Sequence, residues 1–160
     1  MSIQKELGSK QRKKVLSSIY APGISASTLR KSVQFLVHDE KKGKYYIFDI
    51  NQRISFFSYE DKYLPSLMFI REHPELDIST VQVDAGAVKF VINGADIFTQ
   101  GIVSCSQEFS ENTVVIILNP QNAALSIGYS LMTSSDLLNK KGKGISNLHY
   151  LGDKIWEQDL

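Results

Sequence analysis

The side chains that most often carry out chemistry are few in this 160-residue sequence. The three histidines are His38, His73 and His149. None is at metal-ligand spacing from another histidine or from the single cysteine, Cys105. A nucleophilic cysteine needs a base and a group that orients the base, and the sequence near Cys105 offers neither. A single cysteine also excludes an intramolecular disulfide and a multi-cysteine zinc site. We therefore expect no catalytic residue, no metal and no cofactor.

A lysine- and glycine-rich segment near the C-terminus is a candidate for binding phosphate. Residues 141–146, Lys-Gly-Lys-Gly-Ile-Ser, lack the Gly-x-x-x-x-Gly-Lys-Ser/Thr spacing of a nucleotide-hydrolysing loop, so that activity is rejected. Residues 140–144 still offer three lysines and two flexible glycines whose backbone amides suit phosphate oxygens. The alternative is a solvated turn whose lysines complement the end of a helix.

A helix predicted over residues 81–94 has a flat face with small residues. Ala85 and Gly86 let another backbone approach closely, and Lys89 adds a positive charge beside them. A sugar–phosphate backbone suits such a face. The alternative is that Gly86 permits tight packing inside the protein, and the pattern leaves both interpretations open. Phe90 is predicted on the opposite, apolar face, and Gly94 as the residue that ends the helix.

Local patterns predict the elements that position these residues. An amphipathic helix is expected within residues 5–20 and a second one from Ser25 or Ser27 through Val37. Pro65 is expected in the first turn of a short helix. The predicted strands are residues 45–50, 54–59, 96–98, 102–104, 113–118, 123–131, 147–150 and 154–156. The expected fold is α+β in two units, residues 1–77 and 78–160.

The formal net charge of +1 conceals two unlike parts. Residues 1–44 carry ten Lys and Arg against three acids, a net charge of +7. Residues 45–160 carry eight against fourteen, a net charge of −6. Such asymmetry indicates an anionic partner. The cations of residues 10–14 are able to contact RNA, or they form a solvated helix face. With no signal peptide and no apolar run long enough to span a bilayer, we expect a soluble intracellular protein.

Two stretches of the chain resemble known sequences. Residues 83–98, Val-Asp-Ala-Gly-Ala-Val-Lys-Phe-Val-Ile-Asn-Gly-Ala-Asp-Ile-Phe, followed by Gly101, resemble the opening of a PUA domain, an RNA-binding module. Residues 144–156, Gly-Ile-Ser-Asn-Leu-His-Tyr-Leu-Gly-Asp-Lys-Ile-Trp, resemble the C-terminal end of the malignant T-cell amplified protein family. In the first domain, residues 56–57, 63–67 and 73–74 lie where that family places similar residues before its PUA domain. The resemblance covers roughly residues 40–156.

The resemblance implies both a fold and a function. The implied fold is a small N-terminal α/β domain packed on a C-terminal PUA β-barrel. The implied function is that of a noncatalytic, cytoplasmic translation factor that pairs with density-regulated protein. Together the two act on the small ribosomal subunit in removal of deacylated tRNA and in reinitiation. No membrane and no small-molecule substrate are implied.

The resemblance also implies site residues. PUA domains hold RNA between the glycine-containing helix and a late strand. Residues 78–160 carry a net negative charge of −3, so strong RNA binding by this domain alone is not expected. In the first unit, the aromatic residues Tyr59 and Tyr63 become candidates for binding the protein partner. The RNA-binding candidates are Gly86, Ala87, Lys89, Lys141, Lys143, His149 and Tyr150.

Two other functions are compatible with a PUA domain. One is an accessory protein or a fragment of an RNA-modifying enzyme, because PUA domains accompany pseudouridine synthases and transglycosylases. A catalytic domain would need more chain than residues 1–77 supply. The other is a protein-interaction adaptor that never touches RNA, which would show no salt-dependent binding to ribosomal RNA.

Overall fold

The computed structural model describes residues 2–160, with side chains from residue 5 onward. The chain forms two compact units. The first runs to Asp77 and takes in Gln158–Leu160, and the second is Ile78–Glu157. Antiparallel strand pairs and short helices make up both, so the predicted α+β class is confirmed.

The first unit is built on an antiparallel sheet whose strands follow one another in chain order. Three short helices accompany this sheet over the described residues. The strands are β1 Ser2–Glu6, β2 Phe35–Asp39, β3 Lys44–Phe48, β4 Ile54–Tyr59 and β5 Lys62–Pro65. The helices are α1 Ser9–Ser17, α2 Ala26–Ser32 and α3 Leu67–Glu72. Phe56 of β4 packs on Phe69 of α3 with ring centroids 4.8 Å apart, at the centre of the core.

Two expectations for the first unit are wrong, and one strand was not predicted. The second helix ends at Ser32, and Val37 lies in β2, because the chain there pairs with β1 and β3 and buries alternate side chains. Strand β1, which precedes α1, had no counterpart among the predicted elements. Pro65 is the last residue of β5, and α3 begins after Ser66, whose hydroxyl accepts a hydrogen bond from the Phe69 amide at 3.2 Å.

The second unit is a mixed sheet in the order β7-β11-β10-β9-β6-β8, with only the β6–β9 pair parallel among the pairs described. Two short helices and a 3₁₀ helix, Thr99–Gly101, join its strands. The strands are β6 Thr80–Val83, β7 Ile97–Phe98, β8 Ile102–Cys105, β9 Thr113–Leu118, β10 Ala124–Ser130 and β11 Lys143–Tyr150. The helices are α4 Ala85–Val91 and α5 Ser134–Asn139.

The shortest connection in this sheet shows that the sheet curls. β7 and β8 lie at opposite ends of the strand order, yet only Thr99–Gly101 separates them. Four residue steps span at most about 14 Å. Five flat interstrand spacings would separate the same edges by about 24 Å. The sheet must therefore curl until its edges approach, which confirms the predicted barrel.

Three expectations for the second unit are wrong. The helix expected over residues 81–94 is strand β6 followed by α4, because Asp84 ends the strand and caps the helix, its Oδ1 accepting from the Ala87 amide at 2.8 Å. No strand forms at residues 154–156: the chain turns there, since the Asp153 carboxylate accepts from the amides of Tyr150 and Trp156, each at 2.9 Å. Lys143 belongs to β11 rather than to a loop.

Candidate nucleic-acid interface

The main candidate site is a cleft of about 500 Å³ in the second unit. It lies between α4 on one side and β7 with the 3₁₀ helix on the other. Its floor is apolar and its rim carries two carboxylates. The lining residues are Asp84, Gly86, Ala87, Phe90, Val91, Ala95, Asp96, Ile97, Phe98, Gln100 and Gly101.

Two aromatic rings at this cleft are exposed. Phe90 is 57% exposed and Phe98 is 52% exposed, although aromatic side chains are among those that gain most from burial. The expectation that Phe90 faces the core is wrong, because α4 spans only two turns and buries Val91 instead. Exposed rings beside an apolar cleft form a platform on which a flat, unpaired base is able to stack. Nothing in the local sequence distinguishes these rings from core residues.

Small residues bring α4 close to the opposite wall of the cleft. A Cβ at Gly101 would lie 2.9 Å from the Cβ of Ala87, so the 3₁₀ helix and α4 touch at this point. Gly86 is exposed, and the nearest atom to a Cβ built there is Asp84 Oδ1 at 3.5 Å. Of the two interpretations of Gly86, the structure favours an accessible surface over tight packing.

Lys89 stands next to one of the exposed rings. Its Nζ lies 5.1 Å from the centroid of the Phe90 ring, which is within cation–π range. The lysine is exposed, and no described ion pair involves it. Lys89 therefore presents an exposed positive charge beside the Phe90 ring.

Lys143 reaches the same cleft from β11. The β7–β11 register places it opposite Phe98, and its Nζ forms a 2.9 Å ion pair with Asp96 Oδ2. The other Asp96 oxygen accepts from the Asn147 amide at 2.9 Å. Partial burial opposes ionisation of Asp96, but the hydrogen bonds from Lys143 and Asn147 outweigh it and lower its pKa below the ordinary 3.8. The ion pair fixes the lysine at the rim.

Lys141 lies in the loop before β11. The Gly142 carbonyl accepts from the Thr99 amide at 2.9 Å, which holds the loop beside the 3₁₀ helix of the cleft. Lys141 is exposed. The expectation of two flexible glycines holds for only one, because Gly144 is buried and a Cβ there would meet Leu137 Cδ2 at 2.5 Å.

The structure removes His149 from the surface. Its side chain is 0% exposed, and Nδ1 lies 2.8 Å from Asp153 Oδ2. Burial opposes ionisation of Asp153, but bonds from His149 and from the Trp156 and Tyr150 amides prevail and lower its pKa. The prediction of His149 as an RNA contact is corrected: a side chain without accessible surface supports the turn after β11 instead.

Tyr150 lies behind the cleft rather than in it. Its half-buried ring packs against Gly94, at the end of α4, where a Cβ would come within 2.8 Å of two ring carbons. Among the predicted site residues, Gly86, Ala87, Lys89 and Lys143 are thus brought together at the cleft. Tyr150 supports its wall.

The two predicted partner-binding residues belong to the first unit. Tyr63 pairs with Ser58 in the β4–β5 register, and Tyr59 pairs with Lys62. Burial, with a smaller contribution from Tyr45, raises the pKa of Tyr63. Tyr63 packs against the core and lines a groove of about 360 Å³ that also includes the exposed Tyr45. Tyr59 is half-buried on the same hairpin.

The remaining candidates for chemistry stay apart. Among residues 2–160, no three His, Cys, Asp or Glu side chains cluster as metal ligands. Burial raises the pKa of Cys105, which disfavours the nucleophilic thiolate. No helix in the described chain is both long enough and apolar enough to span a bilayer.

Comparison with known proteins identifies first the module and then the family. The PUA domain family model matches residues 79–151, so the second unit is a PUA domain. A crystal structure of a PUA domain from Aeropyrum pernix K1, in a tartrate complex, superposes with a TM-score of 0.78. It covers 99% of this chain and 91% of that one at 20% identity, which shows a shared fold.

The curated relatives extend the similarity beyond this domain. Translation machinery-associated protein 20 of Eremothecium gossypii is 32% identical over 125 residues, covering 73% of this chain and 68% of that protein. Malignant T-cell-amplified sequence 1-B of Xenopus laevis is 34% identical over 116 residues, covering 69% and 64%. The chain therefore belongs to this family of translation machinery-associated proteins, as the sequence resemblance indicated. The matches span between 62% and 68% of the length of such relatives.

Proposed function

We propose that this protein is a noncatalytic RNA-binding translation factor that binds the small ribosomal subunit. The observation that carries the proposal is the cleft of the PUA unit, with exposed Phe90 and Phe98 at its rim and Lys89 and Lys143 beside them. The relatives named for the translation machinery also support a role in translation. Their names refer to the translation machinery and to no enzymatic reaction, which agrees with a role in placement rather than in bond breaking.

The cleft suits an unpaired nucleotide better than a duplex backbone. Base–aromatic stacking contributes about 1–3 kcal/mol per base and does not depend on sequence. Asp84 and Asp96 at the rim repel phosphates, so a phosphate is expected to lie close to Lys89 or Lys143. The base would therefore enter between the two rings while its phosphate stays outside, close to a lysine. Such a contact involves few phosphates, because the net negative charge of residues 78–160 opposes binding along a longer RNA backbone.

We place the protein partner on the first unit. A homologue of density-regulated protein is proposed to bind the β4–β5 hairpin, with Tyr59 and Tyr63 as anchors. The groove beside the exposed Tyr45 supports this placement, because aromatic residues at a groove dominate many interfaces. The pair would act in the cytoplasm, in removal of deacylated tRNA from the small subunit and in reinitiation. A pull-down before and after nuclease treatment tests this: a partner that remains after nuclease supports direct binding, and one that disappears contradicts it.

Co-sedimentation with purified small ribosomal subunits tests the cleft. The variant Phe90→Ala/Phe98→Ala removes both rings. Loss of two stacking contacts should weaken binding by about tenfold to a hundredfold. The matched control is Val103→Ala/Leu138→Ala, which removes two side chains of the same unit that are 56% and 50% exposed outside the cleft. Equal binding by both variants, or an equal loss, would reject the cleft as the RNA site.

A further inference from the structure

A second feature, unconnected with the cleft, is an acid-free cationic segment in the first unit. Residues 7–38 contain not one Asp or Glu. They include α1, α2 and the chain between them. Five of their six cations are exposed, and Arg12 is half-buried. The cations are Lys10, Arg12, Lys13, Lys14, Arg30 and Lys31.

Hydrogen bonds and packing bring the two helices together. Arg12 Nη2 donates to Gln34 Oε1 at 3.5 Å, and Gln34 Nε2 donates to the Arg30 carbonyl at 2.8 Å. Leu16 of α1 and Leu29 of α2 line one groove of about 440 Å³ together with Arg30. Cations of both helices therefore lie beside one surface, which we call the α1–α2 surface. Lys14 instead lines a different groove together with Glu60 and Asp61.

The charges on this surface repel one another. Lys10 is the second residue of α1, at the positive end of the helix dipole, and neither α1 nor α2 has an acid in its first turn. Lys10 is also three and four residues from Lys13 and Lys14, spacings at which like charges destabilise a helix. None of the ion pairs described in residues 5–160 involves any of the six cations. A bound polyanion would relieve this repulsion.

The exposed side chains narrow the choice of polyanion. Residues 7–38 contribute no exposed large hydrophobic side chain to the described surface. A helix that binds a membrane inserts such side chains into the lipid, so this surface does not suit a membrane. A single strand would stack its bases on exposed aromatic rings. The phosphates of an RNA duplex require only fixed cations.

We propose that the α1–α2 surface binds the phosphate backbone of double-stranded RNA, as a second RNA contact separate from the PUA cleft. Its contribution is charge neutralisation without recognition of sequence. Lys10, Lys13 and Lys31 supply exposed charges from both helices. A duplex segment of a large RNA would then be held by the first unit while an unpaired base occupies the cleft.

The test measures binding of the whole chain to a fluorescent RNA duplex of about 20 base pairs, between about 50 and 200 mM salt. The variant is Lys10→Gln/Lys13→Gln/Lys31→Gln. The matched control, Lys41→Gln/Lys44→Gln/Lys154→Gln, removes the same charge elsewhere. We expect the variant to lose at least about tenfold in affinity for the duplex at low salt. The plot of log K for RNA binding against log salt should become less steep, its slope decreasing in magnitude by about two to three. The control should lose less than about threefold.

Three results would overturn the proposal. The first is equal weakening by the variant and the control, which would mean that only net charge matters. The second is loss of duplex binding in Phe90→Ala/Phe98→Ala, which would assign the duplex to the cleft. The third is weaker binding of the lysine variant to phosphatidylserine vesicles with unchanged binding to RNA. Retention of duplex binding by the phenylalanine variant supports the α1–α2 surface even if the cleft proposal fails.

Discussion

Gly94 and the ring of Tyr150 are in direct contact at the end of α4. A Cβ at residue 94 would lie 2.8 Å from both Cε1 and Cζ of the ring, and Gly94 has φ +87°. Its amide donates to the Val91 carbonyl at 3.0 Å. The chain that follows α4 therefore packs on β11, which carries Tyr150, and this contact supports one wall of the cleft.

Gly94→Ala should destabilise the protein by roughly 2–4 kcal/mol, because it adds left-handed backbone strain of about 1 kcal/mol to a clash with the ring. Urea unfolding measures this change. Gly152→Ala is the control, since Gly152 has φ +90° and no atom within 4 Å of its Cβ position. The control should be destabilised only by the left-handed backbone strain. Equal losses in the two variants would show that the Tyr150 contact contributes nothing.

Replacing both rim lysines should weaken binding to the small ribosomal subunit. In Lys89→Glu/Lys143→Glu, two phosphate-facing charges are reversed, and the magnitude of the salt slope should fall by about two. Co-sedimentation over a salt series measures both effects. Lys41→Glu/Lys154→Glu carries the same charge change away from the cleft. Unchanged binding by a folded Lys89→Glu/Lys143→Glu variant would exclude this face as the RNA site.

Asp96→Asn should strengthen RNA binding, because it frees Lys143 and removes a carboxylate from the rim. It should also change stability at low pH. The pKa of Asp96 is lowered in the folded state, so its stabilisation exists above the ordinary value of 3.8 and is lost as the pH falls through the lower folded-state pKa. Unfolding of the Asn variant should lack this acid-dependent loss. Unchanged or weaker RNA affinity would contradict the role given to Lys143.

Asp153→Asn should cost roughly 1–3 kcal/mol of unfolding free energy, because buried His149 loses its charged partner. The folded-state pKa of Asp153 is also lowered, so the ionised carboxylate stabilises above the ordinary 3.8 and the benefit disappears as the pH falls below it. Urea unfolding from neutral to acidic pH should show a flatter profile for the variant. Asp159→Asn, at an exposed position, is the control. A wild-type acid profile in Asp153→Asn would exclude this carboxylate as its cause.

Cys105 should react slowly with a thiol reagent such as iodoacetamide near neutral pH. Burial raises its pKa above the ordinary 9.0, so the reactive thiolate is scarce and the rate should rise as the pH increases. Alkylation followed by mass spectrometry measures the rate. The urea-unfolded protein is the reference. A native rate equal to the unfolded rate at pH 7 would show that the thiol is neither buried nor suppressed.

Local sequence predicted the elements with the strongest patterns. β-Branched and aromatic side chains are frequent in residues 54–59 and 113–118. The strands found there, β4 and β9, have the expected bounds. β1 and β5 were missed, because each is short and its identity depends on a partner strand distant in sequence. Val37 shows the same effect: helical spacing predicted its helix, and pairing with β3 placed it in a strand.

The sequence by itself determined the family, the α+β class and some of the residues from which the site is drawn, because these follow from composition, turn residues and a recognisable order of side chains. Tertiary structure alone decided which of those residues reach the surface. Phe90 has the type of a core residue and is exposed, whereas His149 has the type of a site residue and is buried. Burial depends on which distant segments pack together, as α4, β7 and β11 do around the cleft, and no local spacing records that packing.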